Sequence, residues 1–320
     1  MAPTPFSVDI CDPTPPKELP VHISLQVYAP NVLTRSLWWP SRRSGPPTAV
    51  LLFICGNPGI PTWYIEFIDA IRQRASSSSI AFLAVGHIGH AHDLPQPKDT
   101  RHLSLESQVE AAGYAQAALL EAFPGVSLIL VGHSIGGYIA MQLARDNTHV
   151  SLVIGIQPTI SHMAQTPNGK LLRHFFKPPF PQILSVLGYI LVVTLPFLLP
   201  ILYRTWSKHS LTVLKNFLTN PQCTLAAMTM AGDEMVHVME LDVKLLAHLR
   251  PRLHILYSHT DLWVGSNSDE VIRVLGEDNA SRVKFTPVPH AFCISHSVET
   301  ALAILPWVNE VTMSSDDNVS

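Results

Sequence analysis

Short apolar runs and amphipathic segments alternate along most of this chain. The apolar runs are unbroken and bounded by polar or turn-forming residues, and they occupy residues 49–54, 80–85, 127–131, 150–156 and 253–257. Runs of this kind are typical of strands that are buried on both faces of a sheet. The segments between the first four runs repeat apolar residues at helical spacing, at residues 62–74, 104–123 and 135–145. Strands that alternate with helices predict an α/β fold, with a mostly parallel sheet and helices on both faces.

One long insertion and the two ends of the chain interrupt this alternation. Residues 22–28 alternate like a strand, Trp38 and Trp39 predict an edge strand, and residues 283–286 and 298–311 predict a last strand and a closing helix. The strand pattern stops after Pro158, and we predict a mainly helical cap there. The predicted organisation is a Pro-rich flexible arm, a core in two parts, the cap and a polar tail, at residues 1–20, 21–158 with 251–312, 159–250 and 313–320.

The run at residues 127–131 leads directly into Gly132-His133-Ser134-Ile135-Gly136, which matches the G-x-S-x-G pattern of a nucleophile elbow. A serine exposed at the end of a strand needs a sharp turn into a helix, and glycines on either side leave room for that turn. The N–H of Ile135 would then lie at a helix N-terminus beside Ser134, as half of an oxyanion hole. The alternative is that Ser134 is only the small residue that a tight turn requires.

A nucleophilic serine needs a base, and the base needs a carboxylate to orient it, in the chain order Ser, acid, His. Asp261 follows the run at residues 253–257, and His290 lies on the loop after the last predicted strand. Three residue types at three strand ends in this order are much more specific than the elbow alone. We therefore predict Ser134, Asp261 and His290 as the catalytic residues.

The acid and the base each have a rival. Asp261 could serve only as a turn or helix cap. Asp233 competes as the acid, but it lies in the cap and does not follow a strand. His296 competes as the base, but it falls at the start of the closing helix.

The second oxyanion donor is expected on the loop after the strand at residues 49–54, which reads Cys55-Gly56-Asn57-Pro58-Gly59. Pro58 has no N–H, so we predict that the backbone of Asn57 is the donor, with its side-chain amide as an additional one. Cys55 is a competing nucleophile, but a small residue flanked by a buried strand is better interpreted as part of the core.

One histidine-rich stretch bears on the question of cofactors. Residues 86–93 read G-H-I-G-H-A-H-D and resemble a metal cluster at first sight. Histidines on one flexible loop lack the paired spacing that fixes ligand geometry. We therefore expect this loop to line the mouth of the active site, and we expect neither a metal nor another cofactor.

Composition excludes several classes of function. Charged residues make up 14% of the 320 residues and the net charge is −3, which gives no basis for nucleic-acid binding. The cysteines Cys11, Cys55, Cys223 and Cys293 are scattered, which argues against a zinc site or a disulfide framework and favours a reducing compartment. The N-terminus lacks the basic and apolar regions of a signal peptide. A mean hydropathy of +0.22 suggests that some apolar surface faces lipid.

The cap contains an uncharged apolar segment at residues 183–202. As one helix it would reach roughly 30 Å, enough to span a bilayer. Pro196 and Pro200 break such a helix, and basic and aromatic residues flank both sides, as at a membrane interface. A single pass would also place the two parts of the core on opposite sides of a membrane. We favour a bent hairpin inserted into one leaflet, and the alternative is a buried cap helix under an acyl tunnel.

Several motifs together resemble the lipid droplet-associated hydrolases, a branch of the α/β-hydrolase superfamily. They are G-H-S-I-G-G at residues 132–137, G-N-P-G-I at 56–60 with Tyr64 and Phe67 after it, Q-P-T-I at 157–160 and T-P-N-G at 166–169. The resemblance covers about residues 49–311. It implies that Ser134, Asp261 and His290 form the triad. It also implies that the apolar part of the cap anchors the protein on lipid droplets or on the cytosolic face of the endoplasmic reticulum.

The sequence therefore predicts a serine esterase or lipase that acts on long-chain carboxylic esters. The resemblance implies sterol esters or neutral glycerolipids as the substrate class. Two alternatives use the same residues or the same cap: acyl transfer to an alcohol, and a weakly active protein that works by association with the droplet or membrane surface.

Overall fold

The computed structural model describes residues 22–29, 32–276 and 281–317. The predicted Pro-rich arm at residues 1–20, which includes Cys11, lies outside the described residues, and so does the end of the predicted tail at residues 318–320.

The described strands form one sheet of eight strands in the order β1-β2-β4-β3-β5-β6-β7-β8. Their bounds are His22–Ala29 (β1), Val32–Trp39 (β2), Ala49–Ile54 (β3), Ile80–Val85 (β4), Ser127–His133 (β5), Val150–Ile156 (β6), Leu253–Ser258 (β7) and Val283–Thr286 (β8). Strands β1, β2 and β4 pair antiparallel, and every other pair is parallel. The predicted mostly parallel sheet is thereby confirmed.

The strand that ends at Trp39 is not the edge strand that we predicted, because β2 lies between β1 and β4. Both tryptophans are buried, with Trp38 in the core on one face of the sheet and Trp39 in the core on the other. Two large apolar side chains on opposite faces are typical of an internal strand, and the Pro40 that follows ends the strand without making it an edge.

Eleven α-helices surround the sheet in the described part of the chain. Their bounds are Ile65–Arg74 (α1), Leu105–Ala122 (α2), Ile135–Ala144 (α3), Pro167–Leu172 (α4), Phe180–Thr194 (α5), Leu198–Leu202 (α6), Lys208–Leu218 (α7), Pro221–His237 (α8), Val243–Leu249 (α9), Asn267–Leu275 (α10) and Ser297–Asp317 (α11). Helix α10 was not predicted, although its buried Val271 and Leu275 have helical spacing. Helix α11 continues into the predicted polar tail.

Successive side chains of the central strands pack into two separate hydrophobic cores, one on each face of the sheet. On β3, Val50, Leu52 and Ile54 pack with helices α2 and α3, while Leu51 and Phe53 pack on the opposite face with α1 and α11. Period-two alternation sends successive side chains to opposite faces, and both faces are covered. The loops at the carboxyl ends of β3, β5, β6 and β7 are therefore held on a rigid, fully buried base.

The apolar cap segment forms two helices and not one. Helix α5 ends at Thr194, just before Pro196, as predicted. Pro200 lies in the first turn of α6, where a backbone N–H has no partner within the helix, so it does not break that helix. Within the described residues, no helix combines the length and apolar character that crossing a membrane requires.

Helix α5 is buried on one side only. Ser185 and Val192 are buried, whereas Ile183, Leu187 and Ile190 are each about half exposed, at 47%, 54% and 47%. The buried-helix interpretation of this segment therefore does not hold, because the outer face of α5 stays open to its surroundings.

We expect Gly132→Ala to destabilise the fold. A Cβ on Gly132 would lie 2.1 Å from the backbone oxygen of Gly136, which cannot move without displacing α3. Urea unfolding of the full chain should give a loss of about 3 kcal/mol or more. The matched control is Gly113→Ala inside α2, where the nearest atom is a Leu143 methyl at 3.5 Å and a gain of about 0.5–1 kcal/mol is expected. Equal unfolding midpoints for the two variants would contradict this packing.

Candidate active site

Ser134 lies at the sharp turn between β5 and α3. Its backbone angles are φ 54° and ψ −124°, a region that non-glycine residues rarely adopt. Three backbone hydrogen bonds hold it there: its N–H donates to Ile156 O at 3.0 Å, and its carbonyl accepts from Gly137 N at 2.9 Å and from Thr159 N at 3.2 Å. The turn is therefore fixed both by the helix that follows and by the neighbouring strand β6.

Ser134, His290 and Asp261 form a continuous chain of hydrogen bonds. His290 Nε2 is 3.0 Å from Ser134 Oγ, and His290 Nδ1 is 2.7 Å from Asp261 Oδ2. The other carboxylate oxygen of Asp261 accepts from the N–H groups of Trp263 at 2.8 Å and Val264 at 3.3 Å. Asp261 is buried and both of its carboxylate oxygens accept hydrogen bonds, so it can fix the orientation and the tautomer of the imidazole. The geometry suits a serine whose proton passes to a histidine.

The two rival residues are not part of this chain. Asp233 accepts a hydrogen bond from Leu105 N at 2.7 Å and so caps the start of α2. His296 contacts Ser295 Oγ at 2.9 Å on an exposed part of the chain. Each of these side chains therefore has a local hydrogen-bond partner, and neither of them contacts Ser134.

The two predicted oxyanion donors lie next to Ser134. Ile135 is the first residue of α3, and the loop of Asn57 passes so close that a Cβ on Gly56 would be 3.1 Å from Ser134 Cβ. Within the described part of the chain, the backbone N–H groups of Ile135 and Asn57 make no hydrogen bond outside the helix. The side chain of Asn57 is occupied elsewhere, because its Nδ2 donates to Ala227 O and to Glu234 Oε1, each at 2.9 Å.

A buried tyrosine and a buried histidine connect the three loops of the site, and no sequence pattern indicated this contact. Gly56 N donates to Tyr64 Oη at 3.3 Å, Tyr64 Oη lies 2.8 Å from His133 Nδ1, and His133 Nε2 lies 2.9 Å from His290 O. Because the His290 carbonyl can only accept, His133 donates from Nε2 and accepts the tyrosine proton at Nδ1. Burial, with His290 nearby, holds the pKa of His133 well below its usual range, and burial raises that of Tyr64 well above its own.

Gln157 is a second residue whose position the sequence did not reveal. It follows β6 with φ 47°, is fully buried, and donates from Nε2 to Val288 O at 3.0 Å and to Pro289 O at 3.3 Å. These two carbonyls directly precede His290. The Gln157 side chain therefore holds the loop that presents the histidine.

The histidine-rich loop does not line the mouth of the site as expected. His87 and His90 are buried behind the loop that carries Asn57, at 3% and 1% exposure. Gly59 N donates to His90 Nδ1 at 2.8 Å, and His87 N donates to Gly59 O at 3.1 Å. Burial lowers the pKa of both side chains, that of His87 to about 4, so both are neutral supports of the loop.

A cavity of about 260 Å³ opens beside Ser134 and His290. Most of its wall is apolar and comes from the cap and the loops near it: Pro58, Met163, Phe176, Phe217, Ala227, Met228, Ala231 and Trp263. Glu234 is its one acidic wall residue within the described chain. Burial raises the pKa of Glu234 to about 8, against the opposing hydrogen bond from Asn57. The cavity therefore offers an apolar group a place next to the serine.

Comparisons of the sequence with known proteins agree with one another. The model of a family described as lipid-droplet associated hydrolase matches residues 47–293. A lipid droplet-associated hydrolase from Rattus norvegicus is 27% identical over 283 residues, which cover 82% of this chain and 85% of that protein. One from Homo sapiens is 25% identical over 277 residues, which cover 80% and 83%.

The fold is similar to that of solved structures. A loop variant of the haloalkane dehalogenase DbeA from Bradyrhizobium elkanii matches with a TM-score of 0.63 at 13% identity, over 93% of this chain and 99% of that chain. At such low identity the likeness concerns the fold alone, and it confirms the predicted α/β-hydrolase fold.

We expect Tyr64→Phe to weaken the fold by leaving two buried polar groups, Gly56 N–H and His133 Nδ1, without a partner. Such losses cost about 1–3 kcal/mol, which urea unfolding can resolve. The control is Tyr114→Phe, because Tyr114 is 57% exposed and its change should stay within about 0.5 kcal/mol. If Tyr64→Phe were as stable as the wild type, the tyrosine would not connect the loops.

Proposed function

The chain belongs to the lipid droplet-associated hydrolase family, and we propose that it is a serine hydrolase of long-chain carboxylic esters. The observation that carries the proposal is the hydrogen-bonded chain from Asp261 through His290 to Ser134, which opens onto an apolar cavity. An activated serine attacks an ester carbonyl, and an apolar cavity next to it suits a hydrocarbon chain.

In the proposed first step, Ser134 Oγ attacks the carbonyl carbon while His290 Nε2 takes its proton, and Asp261 orients and stabilises the charged imidazole. The bond to the alcohol breaks as His290 returns this proton to the leaving oxygen. A water molecule, deprotonated in turn by His290, then attacks the acyl carbon, and the bond to Ser134 Oγ breaks as His290 returns the proton to that oxygen and the acid leaves. The N–H groups of Ile135 and Asn57 stabilise the negative oxygen in both steps.

We further propose that the substrates are sterol esters or neutral glycerolipids. The apolar wall of the cavity supports an acyl chain there, since six of its residues are Met, Phe, Trp or Pro side chains. Acyl transfer to an alcohol would use the same first step, and the product distinguishes it from hydrolysis.

The outer face of the cap is the proposed contact with a lipid surface. Helices α5 and α6 and the turn between them expose ten large apolar side chains, which are Ile183, Val186, Leu187, Tyr189, Ile190, Val193, Leu195, Phe197, Ile201 and Leu202. Soluble monomers rarely expose a patch of this kind. We propose that this face inserts into the monolayer of a lipid droplet or into the cytosolic leaflet of the endoplasmic reticulum.

The charge of the cap supports the same contact. Residues 147–232 contain no Asp or Glu. They contain basic residues that are all exposed, namely Lys170, Arg173, Lys177, Arg204, Lys208 and Lys215. Basic side chains near an apolar face are attracted to the phosphate groups and to the negative charge of a phospholipid surface.

We expect Ser134→Ala to abolish hydrolysis of a chromogenic long-chain ester by the purified full chain. Loss of a nucleophile that acts together with a base lowers kcat/KM by at least about 10³-fold. The matched control is Ser295→Ala, because Ser295 is exposed and its one hydroxyl contact among the described residues is with His296, so its rate should equal that of the wild type. Hydrolysis that survives in Ser134→Ala, or an inactive wild type, would argue for the surface-binding alternative.

We expect the double substitution Leu187→Asp with Ile190→Asp to weaken binding to triolein droplets covered with a phospholipid monolayer. Burial of a Leu or Ile side chain in lipid contributes about 1.5–3 kcal/mol to binding, and the double variant loses this contribution at two positions. The bound fraction should therefore fall by about tenfold or more in flotation assays. The control Leu302→Asp changes an equally exposed residue on α11 and should bind normally. Neither residue on α5 lines the cavity, so hydrolysis of a soluble short-chain ester should be unchanged. Normal droplet binding by the double variant would contradict the assignment of this face.

A further inference from the structure

Glu234 is a buried acid in a wall that is otherwise mostly apolar, and the proposed mechanism does not use it. It lies on helix α8 of the cap, is 1% exposed, and lines the same cavity as Ser134 and His290. Burying a carboxyl group costs free energy unless hydrogen bonds compensate for the lost contact with water. Its one hydrogen-bond partner among the described residues is the side chain of Asn57, at 2.9 Å.

Asn57 is the residue whose backbone N–H is the proposed second oxyanion donor. The core holds its loop from behind, through Tyr64 at Gly56 and through His87 and His90 at Gly59. At Asn57 itself the side-chain contacts come from the cap, since Nδ2 donates both to Glu234 Oε1 and to Ala227 O on α8. The direction of the Asn57 peptide therefore depends on a helix of the cap as well as on the core.

We propose that Glu234 is a positioning residue for the oxyanion hole, which fixes Asn57 while uncharged and slows the reaction when it ionises. The proposal rests on the proposed hydrolase function. The uncharged carboxyl provides the acceptor for Asn57 Nδ2 and adds no charge near the oxyanion. The ionised form would place a negative charge on the far side of Asn57 from the negative oxygen that forms in the transition state, and the two charges would repel each other.

The surroundings of Glu234 favour the uncharged form at neutral pH. Burial raises its pKa to about 8, the hydrogen bond from Asn57 acts in the opposite direction, and Asp233 on the same helix raises it further. Among the described residues, the other ionisable groups that face this region are His90, which contacts the backbone of Ala226 on α8, and His290 across the cavity. Because the pKa is raised, the neutral form predominates below about pH 8 and the anion above it.

Other buried groups near the site ionise outside this range. Burial raises the pKa of Cys55 and Tyr64 well above their usual ranges and that of Cys293 to about 12, and it lowers that of His133 well below its own. A loss of activity centred near pH 8 can therefore be assigned by substituting Glu234 alone.

The test compares two substitutions of similar size in the full chain. Glu234→Gln keeps an oxygen that accepts from Asn57 and cannot ionise, whereas Glu234→Met fills the space and removes the acceptor. The matched controls are Glu240→Gln and Glu240→Met, because Glu240 is an exposed acid of the cap. The assay follows hydrolysis of a soluble p-nitrophenyl ester from pH 6 to pH 9.5, and circular dichroism at each pH verifies that every variant is folded.

We expect Glu234→Met to lower kcat by about tenfold or more at pH 7, with KM changed by less than about threefold, because a misplaced oxyanion donor affects the transition state more than binding. Glu234→Gln should retain kcat within about threefold at pH 7. Above pH 8 the wild type should lose about tenfold in kcat, because the Glu234 carboxylate repels the negative oxygen of the transition state, and Glu234→Gln should not lose activity in this way. Both Glu240 variants should behave like the wild type throughout.

A double-mutant cycle separates positioning from general stability. If Glu234 acts through Asn57, Glu234→Met should have little further effect on kcat in an Asn57→Ala background. The proposal is overturned if folded Glu234→Met keeps the wild-type kcat, if the two effects are additive, or if Glu234→Gln shows the same alkaline loss as the wild type. These outcomes require an active wild type, so they differ from a failure of the proposed hydrolase function, in which the wild type and Ser134→Ala would be equally inactive.

Discussion

Ser134 has a positive φ, which residues with a side chain rarely adopt, and the packing around it holds the backbone in this conformation. Its N–H and carbonyl are bonded to the ends of β6 and the start of α3. Added Cβ atoms at Gly132 and Gly136 would lie within 2.2 Å of backbone oxygens, at Gly136 O and Ile54 O. The close approach of β3, β5 and α3 that forces this turn also brings the Asn57 loop to the serine. The strained turn and the proposed oxyanion site thus have one structural cause.

Around this turn, buried polar groups are kept neutral by burial and are used as hydrogen-bonding supports. Tyr64 and His133 join the loops of Gly56 and His290, and the imidazole of His90 accepts a hydrogen bond from Gly59 N. The cap completes the arrangement with two different faces. Its inner helix α8 lines the cavity and holds Asn57, and its outer helix α5, which packs on α8, exposes apolar side chains. In the proposed account, the surface that meets lipid and the wall that meets the substrate belong to the same small set of helices.

Much of this arrangement could be predicted from local sequence. Buried parallel strands are recognisable as apolar runs, and the elbow and the order of Ser134, Asp261 and His290 follow from the loops at strand ends. What failed depended on distant parts of the chain. The neighbour of β2, the burial of His87 and His90, and the contacts of Gln157 and Glu234 are set by pairing and packing that no local pattern encodes. Asp233 was the rival candidate for the catalytic acid, while the adjacent Glu234 is the one that faces the cavity, since side chains one residue apart on a helix point in different directions.

The proposed activity requires that Ser134 be an activated nucleophile in an apolar site. Labelling of the purified wild-type chain with an alkyl fluorophosphonate, followed by peptide mapping by mass spectrometry, tests it most directly, both in detergent and on artificial droplets. We expect one adduct, on the peptide that contains Ser134, and its loss in Asp261→Asn, in which the imidazole is no longer held in the productive tautomer. Absence of an adduct in both settings, or an adduct on another residue, would contradict it.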